Sequence, residues 1–266
     1  MTKIRADLLI VEKGLVSSRE KAKRIIMEGK AFVGTNRIDK AGQLLDLDSN
    51  IHIKKDSLEF VSRGGYKLKK MIQKHHIDLK NKICMDIGSS TGGFTDCMLQ
   101  NGSKKVYAID VGYNQLDYKI RIDKRVVVME RTNIRFLDRE KIVDNIDFIS
   151  IDVSFISLEL VLPKAVELAG EKCQFIALIK PQFEAGKDKV GKGGIIRDSK
   201  VHLEVLEKIY EFVKSLNLSV RDISYSPITG TEGNIEFLIY MDNYSKDNKS
   251  FDLKAIVNEA KVKLTK

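Results

Sequence analysis

Two aspartates and a glycine-rich stretch stand where they could bind a ribose. An apolar run ends near Asp86 and is followed by Gly88-Ser89-Ser90-Thr91-Gly92-Gly93-Phe94. An apolar run, a glycine-rich turn and a second apolar segment, in that order, predict a strand, a tight loop and a helix, which open a nucleotide-binding α/β fold. Another apolar run ends at Asp110, about 20 residues further on, and an acid at that place can accept hydrogen bonds from a pair of ribose hydroxyls.

The glycine pattern narrows the choice of ligand. The stretch does not follow the G-x-G-x-x-G spacing that brings a backbone close to a pyrophosphate, so a dinucleotide is disfavoured. A ligand that carries a ribose and no phosphates fits better, and S-adenosylmethionine is the common ligand of that kind. Asp86 could bind this ligand, or it could cap the following helix and order the loop; the sequence leaves both roles open.

A carboxylate and a lysine follow two later apolar runs. Asp152 ends one run, and Lys180 ends the run 175–179. Because the carboxyl ends of parallel strands meet at one edge of a sheet, both side chains are expected at the edge where such folds bind ligands. A lysine among charged groups can stabilise a developing alkoxide or accept a proton. Taken alone, however, two such residues are more often ordinary polar residues at strand ends.

The spacing of apolar residues predicts the elements that carry these side chains. Strands are predicted at 83–88, 105–111, 125–129, 147–152, 174–180, 219–226 and 235–241, and helices near 94–101, 156–169, 199–216 and 251–264, with an earlier helix that ends near 75. Alternating strands and helices predict an α/β fold: a Rossmann-like, mostly parallel sheet with one antiparallel edge strand.

The N-terminal residues predict a separate small α+β module. They suggest a helix over 5–14, a second helix from Ser17 to Gly29, and short strands at 31–33, 36–38 and 51–53. Ser17 and Glu20 have the spacing of a capping box at the start of the second helix. We therefore predict two domains, 1–60 and 61–266.

Basic residues are concentrated near the N-terminus. Residues 1–80 contain 18 Lys and Arg and 10 Asp and Glu, so they carry +8 of the net charge of +9. A confined basic excess is typical of a segment that binds a polyanion, although a solvated basic surface would look the same.

Cysteine usage and apolar runs bear on the compartment. Cys84, Cys97 and Cys173 lack metal-ligand spacing and stand in apolar surroundings, which predicts reduced thiols in a cytoplasmic protein without a metal. No apolar run approaches the ~20 residues that span a bilayer.

The N-terminal module resembles the alpha-L RNA-binding motif, which is named after the fourth protein of the small ribosomal subunit. The similarity covers about residues 3–60 and lies in the spacing of Arg5, Asp7, Gly14, Leu15, Ser18, Arg19, Ala22, Ile26, Gly29, Ala31, Val33, Lys40 and Gly42. The resemblance implies that the module positions RNA through its phosphates without reading bases. It also implies that Arg5, Arg19, Lys21 and Arg24 face nucleic acid.

The remaining residues resemble the FtsJ-like ribose methyltransferases, and the whole chain is similar to the TlyA family. Members of that family bear haemolysin names and are ribosomal-RNA 2′-O-methyltransferases that depend on S-adenosylmethionine. The matching segments follow one another in order: 62–68, 86–96, 130–135, 151–157, 179–184 and 233–237. Any one of them would be a weak signal, but together they span almost the whole chain.

The resemblance implies specific roles for residues of both domains. The Lys-Asp-Lys-Glu tetrad of the family corresponds to Lys67, Asp152, Lys180 and Glu236. The cofactor would lie against Asp86, Gly88, Ser89, Gly92, Gly93, Phe94, Asp110, Asn133, Ile134 and Asp152, and Arg63 would contact RNA. Ribosomal RNA or a ribosomal subunit is the expected partner, a cytidine the expected target, and a monomer without a metal or a membrane contact the expected state.

Two further segments bear on RNA binding. The family connector often carries a basic residue and a tryptophan before Val-Ser-Arg, whereas Leu58-Glu59-Phe60-Val61 keeps an aromatic residue and the valine but not the basic residue. Any coupling of RNA binding to cofactor binding through this connector is therefore expected to differ. The glycine- and lysine-rich stretch 184–198 could close on RNA, or it could be an inert surface loop.

Four other functions compete with ribose methylation. Adenine amino methylation usually relies on an Asn/Asp-Pro-Pro-aromatic strand end, where this chain has Asp152-Val153-Ser154-Phe155. Methylation of pyrimidine C5 needs a cysteine nucleophile, and no cysteine stands at a strand end beside that site. A membrane-active haemolysin is disfavoured because no apolar run is long enough to form a membrane-spanning helix. A non-catalytic ribosome-binding factor is disfavoured because all four tetrad residues are present.

Overall fold

The computed structural model describes residues 3–27, 29–54, 59–230, 232–247 and 249–265. The chain forms two compact units, Met1–Ser57 and Leu58–Lys266. The division lies close to the predicted boundary between residues 60 and 61. Each unit has a hydrophobic core of its own.

The described residues of the first unit form two helices and five short strands. Its elements are β1 (Lys3–Arg5), α1 (Ala6–Glu12), α2 (Arg19–Met27), β2 (Ala31–Val33), β3 (Asn36–Arg37), β4 (Leu44–Asp46) and β5 (Ile51–Ile53). Strands β1 and β4 form an antiparallel pair, and β3, β2 and β5 form an antiparallel sheet in that order. The core between these elements is built from Leu9 and Ile10 of α1 and from Ala22 and Ile26 of α2.

The start of α2 differs from the prediction. The helix begins at Arg19, and the Oγ of Ser18 accepts a hydrogen bond from the Lys21 N–H at 3.3 Å. The hydroxyl of Ser17, which the sequence placed in the capping box, accepts a hydrogen bond from Lys21 Nζ at 2.9 Å. The capping serine was therefore predicted one residue too early. Strands β1 and β4, which pair with each other, were not predicted.

The second unit alternates strands and helices as predicted. Its elements are α3 (Gly64–His75), β6 (Ile83–Ile87), α4 (Gly93–Gln100), β7 (Lys105–Ile109), α5 (Tyr118–Arg121), β8 (Val126–Met129), β9 (Phe148–Ile151), α6 (Leu158–Leu168), β10 (Gln174–Ile179), α7 (Pro181–Glu184), α8 (Ser199–Ser215), β11 (Ser219–Tyr225), β12 (Phe237–Asp242) and α9 (Leu253–Leu264). Every strand and long helix predicted in this unit is present, and its ends lie within two residues of the prediction. The four-residue helices α5 and α7 were not predicted.

One seven-stranded sheet organises the second unit, in the order β11-β12-β10-β9-β6-β7-β8. Strands β6 to β10 run parallel, and β12 runs antiparallel to β10 and β11. The antiparallel strand β12 is therefore the second strand from the edge, and β11 is the edge strand. Because of its direction, the start of β12 meets the end of β10, with Phe237 paired to Ile179. A residue just before β12 thus lies beside a residue just after β10.

Alternate residues of the sheet face two different cores. On one side Ile149 of β9 and Phe175 of β10 pack against α6, α8 and α9; on the other, Phe148 and Ile176 pack against α3 and α4. The central strands are apolar on both faces, which is typical of parallel strands covered by helices on both sides. All three cysteines are buried and form no disulfide. No helix in the described ranges is both long enough and apolar enough to cross a bilayer.

Candidate active site

The glycine loop after β6 has two positions where a side chain would not fit. Gly88 has a φ of +83°, and a Cβ atom there would lie 2.4 Å from the carbonyl oxygen of Asp152. A Cβ atom on Gly93 would lie 2.3 Å from the Oγ of Ser62. Only glycine allows both close approaches at these positions. The loop consequently brings β6 and α4 against the segments that carry Asp152 and Ser62.

The side chain of Asp86 helps to order this loop. Its side chain is fully buried; Oδ2 accepts a hydrogen bond from the Thr95 hydroxyl at 2.6 Å, and Oδ1 accepts one from the Ser150 hydroxyl at 3.0 Å. Burial raises the pKa of Asp86 to about 7, against the two hydrogen bonds that favour its charged form. The carboxylate lines neither of the cavities described below. Of the two roles considered from the sequence, the geometry supports loop ordering and not direct contact with a ligand.

Asp110 lies at the edge of a mainly apolar cavity of about 420 Å³. Its Oδ2 accepts the N–H of Ser90 at 2.8 Å, and its Oδ1 accepts the N–H of Gly112 at 2.7 Å. Each carboxylate oxygen can still accept a further hydrogen bond. The walls include Asn133 and Ile134, both predicted, together with residues that the sequence did not indicate: Ile109, Val111, Gln115, Thr132, Val153, Phe155, Ile156 and Val161.

A second cavity, polar and about 310 Å³ in volume, adjoins the first. The two share Gly88, Ser90, Asp152 and Ser154 as lining residues. All four residues of the predicted tetrad line the polar cavity, as do the predicted cofactor residues Ser89, Gly93 and Phe94. Gly92 lines neither cavity. With a φ of +93°, it turns the loop into α4.

The tetrad forms two ion pairs. Lys67 Nζ lies 2.5 Å from Glu236 Oε2, and Lys180 Nζ lies 2.6 Å from Asp152 Oδ1. The hydroxyl of Ser154 accepts a further hydrogen bond from Lys180 Nζ at 2.8 Å. Lys180 and Asp152 follow neighbouring parallel strands, and Glu236 directly precedes the antiparallel strand beside them, so the sheet itself brings three of the four together. Lys67, the fourth residue of the tetrad, belongs to α3.

Burial sets the electrostatics of this cluster. The side chains of Lys67 and Glu236 are 9% and 3% exposed, and those of Lys180 and Asp152 are 11% and 21% exposed. Burial raises the pKa of Glu236; the positive charge of Lys67 opposes this shift and the negative charge of Asp152 adds to it. The two pairs therefore interact with each other, and opposite charges alternate around the polar cavity.

Phe155 is a feature that the sequence did not single out. Phe155 belongs to the matching segment 151–157, yet the residue is 91% exposed. Its backbone φ is +63°. Its ring lies 5.0 Å from the ring of Phe183, measured between centroids, and Lys180 Nζ lies 5.9 Å from the Phe183 ring. An exposed phenylalanine with a left-handed backbone could have been found only from coordinates, because sequence gives no sign of either property.

The predicted RNA-binding residues of the first unit divide into two kinds. Asp7 is fully buried, and its two oxygens bind Arg5 Nε at 3.0 Å and Arg19 Nε at 2.9 Å. The two guanidinium groups, Arg5 first, hold the pKa of Asp7 at about 2. Arg5 and Arg19 therefore hold the fold together as well as presenting charge, since each side chain remains 43% exposed. Lys21 and Arg24 are exposed on α2.

Arg63 and the residues before it belong to the second unit. Arg63 lines the polar cavity beside Lys67. Of the connector, Leu58 lies outside the described residues. Phe60 is buried, and the N–H of Val61 donates to Asp96 Oδ2 at 2.8 Å. Glu59, which replaces the basic residue of the family pattern, pairs with Lys69 Nζ at 2.6 Å.

The stretch 184–198 contains two short 3₁₀ turns, Lys187–Lys189 and Lys192–Gly194. Its far end is held by the buried side chain of Asn234, which accepts the Ile196 N–H at 3.0 Å and donates to the Gly194 carbonyl at 2.9 Å. Asn234 stands two residues before Glu236, so this stretch is tied to the wall of the polar cavity. Among the described residues, no group of three or more His, Cys, Asp or Glu side chains is placed to hold a metal ion.

Comparison with known proteins shows the family of this chain. The model of the family described as FtsJ-like methyltransferase matches residues 60–243, well over half of the chain. The chain belongs to the FtsJ-like methyltransferase family. The S4 domain model matches residues 4–51 of the same methyltransferase, within the first unit.

Relatives of this methyltransferase match along most of their length. YqxC of Bacillus subtilis, whose name describes an rRNA methyltransferase, is 51% identical over 90% of this chain and 85% of its own. TlyA of Mycobacterium tuberculosis, named 16S/23S rRNA (cytidine-2′-O)-methyltransferase, is 36% identical over 89% of each chain. A solved structure of a hemolysin-named protein from Streptococcus thermophilus is 42% identical, has a TM-score of 0.78, and covers 99% of this chain and 97% of its own.

Proposed function

We propose that this protein transfers a methyl group from S-adenosylmethionine to the 2′-oxygen of a ribose, a cytidine ribose in ribosomal RNA. One observation carries the proposal: the two lysine–carboxylate pairs, Lys67–Glu236 and Lys180–Asp152, line a polar cavity that opens into an apolar, nucleoside-sized cavity. The first cavity suits an alcohol that must lose a proton, and the second suits a nucleoside.

The apolar cavity fits S-adenosylmethionine by its chemistry. Asp110 stands at the end of β7 with acceptor capacity left on both oxygens, as binding of a ribose diol requires. Asn133 and Ile134 would flank the adenine, and Gly88 lets the backbone approach the methionine portion. When bound, this cofactor would supply the methyl group: the 2′-oxygen gains the methyl group, and S-adenosylhomocysteine and one proton, which passes to solvent, are released.

Lys180 is the residue that we expect to act on the 2′-hydroxyl. A ribose hydroxyl is a poor nucleophile, and it becomes reactive as negative charge develops on its oxygen. The Lys180 ammonium group stabilises that charge, while Asp152 and Ser154 fix the ammonium by contacts of 2.6 and 2.8 Å. A preorganised charge in a site with little water stabilises an oxyanion far more than the same charge in solution does. Lys67 and Glu236 complete the charge pattern around the substrate oxygen.

The first unit would hold the RNA. Its exposed cations Lys21 and Arg24 lie on one helix, and the half-exposed Arg5 and Arg19 lie near its start. A chain that starts near Ser57 should still fold around the seven-stranded sheet, lose methylation of ribosomal RNA, and bind RNA with a shallower dependence on salt because fewer phosphates are neutralised. Equal salt slopes for the full and truncated chains would make the lysine-rich residues 186–192 the better candidate for the RNA anchor.

The choice of ribosomal RNA and of cytidine draws support from the names of relatives that match over most of their length. The hemolysin names of other relatives point to a different activity. A non-catalytic ribosome-binding role is disfavoured because the tetrad is complete and paired. Mass-spectrometric mapping of ribosomal RNA from cells with and without the gene tests the proposal: loss of one 2′-O-methyl cytidine supports it, and unchanged RNA contradicts it.

A further inference from the structure

Two segments of the active site lie along each other. One follows β9 and runs from Asp152 to the start of α6, and the other runs from Lys180 through α7 to Glu184. Lys180 binds Asp152 and Ser154 at one end of this contact, and the rings of Phe155 and Phe183 meet in its middle.

Glu184 closes the other end. Its Oε2 accepts the Ser157 hydroxyl at 2.6 Å, and its Oε1 accepts the Leu158 N–H at 2.8 Å. Ser157 is the N-cap of α6, so both bonds hold the place where the loop becomes a helix. The Glu184 side chain is buried, and burial raises its pKa. A buried carboxyl is costly, and it is stable here because both oxygens have donors.

The loop between these two anchors includes a strained residue. Phe155 has a φ of +63° and an almost fully exposed ring, so neither its backbone preference nor burial of the ring keeps it in place. A non-glycine residue in the left-handed region persists only when its surroundings fix it, at a cost of about 1–3 kcal/mol. Bonds at both ends of the loop, to Lys180 and to Glu184, supply that restraint.

We propose that Glu184 is a positioning residue for methyl transfer, which holds residues 152–157 in the conformation that places Asp152 against Lys180 and Phe155 at the mouth of the site. The inference rests on the proposed function. Glu184 acts through its two accepted hydrogen bonds and not through its charge. Its side chain lines neither the polar nor the apolar cavity.

Two substitutions of similar volume separate hydrogen bonding from packing and charge. Glu184→Gln keeps one acceptor for the Leu158 N–H, and its amide can donate to the Ser157 oxygen. Glu184→Met fills the same space and can do neither. We expect kcat for RNA methylation to fall about 10- to 100-fold in Glu184→Met. We expect kcat to stay within a few-fold of wild type in Glu184→Gln. Because residues 152–156 also line the apolar cavity, the Kd of S-adenosylmethionine should rise in Glu184→Met and stay near that of the wild type in Glu184→Gln. Equal activity of the two variants, whether high or low, overturns the inference.

A fluorescence readout keeps the test independent of activity and of full stability. The chain contains no tryptophan, so Phe155→Trp introduces a single reporter in the loop. Its anisotropy should be lower in the Glu184→Met background than in the Glu184→Gln background, and Ser157→Ala should lower it partly. If Glu184→Met does not fold, an unchanged anisotropy in Ser157→Ala overturns the inference. If the reporter responds as expected while the wild type transfers no methyl group, the loop restraint stands and the proposed function fails.

Discussion

The ammonium group of Lys67 lies 2.5 Å from Oε2 of Glu236, across 169 positions of the chain. Lys67 belongs to α3, the first helix of the second unit, and Glu236 stands directly before β12. Both side chains are nearly excluded from solvent. This ion pair therefore ties α3 to the sheet, and it also forms half of the proposed catalytic cluster.

Removal of one partner should reveal this dual role. We expect Glu236→Ala to lower the free energy of unfolding by about 3 kcal/mol, because it leaves the Lys67 ammonium buried without a counter-charge. Lys69→Ala is the matched control: the more exposed pair between Lys69 of the same helix and Glu59, which precedes the helix, should contribute less than about 1 kcal/mol. Urea denaturation measures both. Losses of equal size would show that the buried pair contributes no more than a surface pair.

Asp110 should control cofactor affinity. We expect Asp110→Ala to weaken S-adenosylmethionine binding by roughly 1–3 kcal/mol, since it removes the charged acceptor for the ribose hydroxyls. It also frees the N–H groups of Ser90 and Gly112. Asp138→Ala is a suitable control because Asp138 also accepts a backbone N–H but lines neither cavity. Calorimetry that gives the same dissociation constant for wild type and Asp110→Ala would place the ribose elsewhere.

The tetrad illustrates what the sequence could predict. Asp152 and Lys180 end strands that are apolar on both faces, and such strands are recognisable from composition and length. Sheet geometry then brings their ends together. Lys67 and Glu236 could be added only through family resemblance, because no local pattern relates a helix residue to one 169 positions later.

From the sequence, reversal of the charge at Arg19 or Arg24 is expected to leave the first unit folded, because both lie on the polar face of α2. The ion pair between Arg19 and the buried Asp7 leads us to expect a different result for Arg19. Arg19→Glu should destabilise the unit by about 2 kcal/mol or more, since it sets a second negative charge against a buried carboxylate. Arg24→Glu should leave the melting temperature unchanged and reduce the salt slope of RNA binding by about 1. Equal melting temperatures for both variants would contradict the structural role of Arg19.

Asp86 should make stability depend on pH. Its pKa is about 7 in the folded protein, above the ordinary value of about 4 for an unfolded aspartate, so folding favours the protonated form. Stability from this group is present below about pH 4 and is lost as the pH rises towards 7. We expect Asp86→Asn to flatten the change in unfolding free energy between pH 5 and 7.5 by about 2 kcal/mol. Urea titrations at pH 5 and 7.5 test this. The same change in unfolding free energy in the wild type and in Asp86→Asn would contradict the expectation.

Side-chain partners and backbone strain were beyond sequence reasoning. Nothing in the sequence distinguishes Arg19, which pairs with a buried carboxylate, from Arg24, which is exposed on the same helix. Likewise, the left-handed φ of Phe155 arises from contacts of the loop with α7, and these exist only after β9 and β10 have paired. Long-range contacts of this kind decide the roles of individual residues even where the elements are predicted correctly.

Ribose 2′-O-methylation by this protein should depend on Lys180. The most direct measurement incubates the purified chain with ribosomal subunits and S-adenosylmethionine carrying a deuterated methyl group, digests the RNA to nucleosides and identifies the labelled product by mass spectrometry. We expect labelled 2′-O-methylcytidine with the wild type and with Lys164→Ala, a distant lysine control. We expect none with Lys180→Ala, while calorimetry shows nearly unchanged cofactor binding. Label on a base, or activity of Lys180→Ala within a few-fold of wild type, would contradict the account.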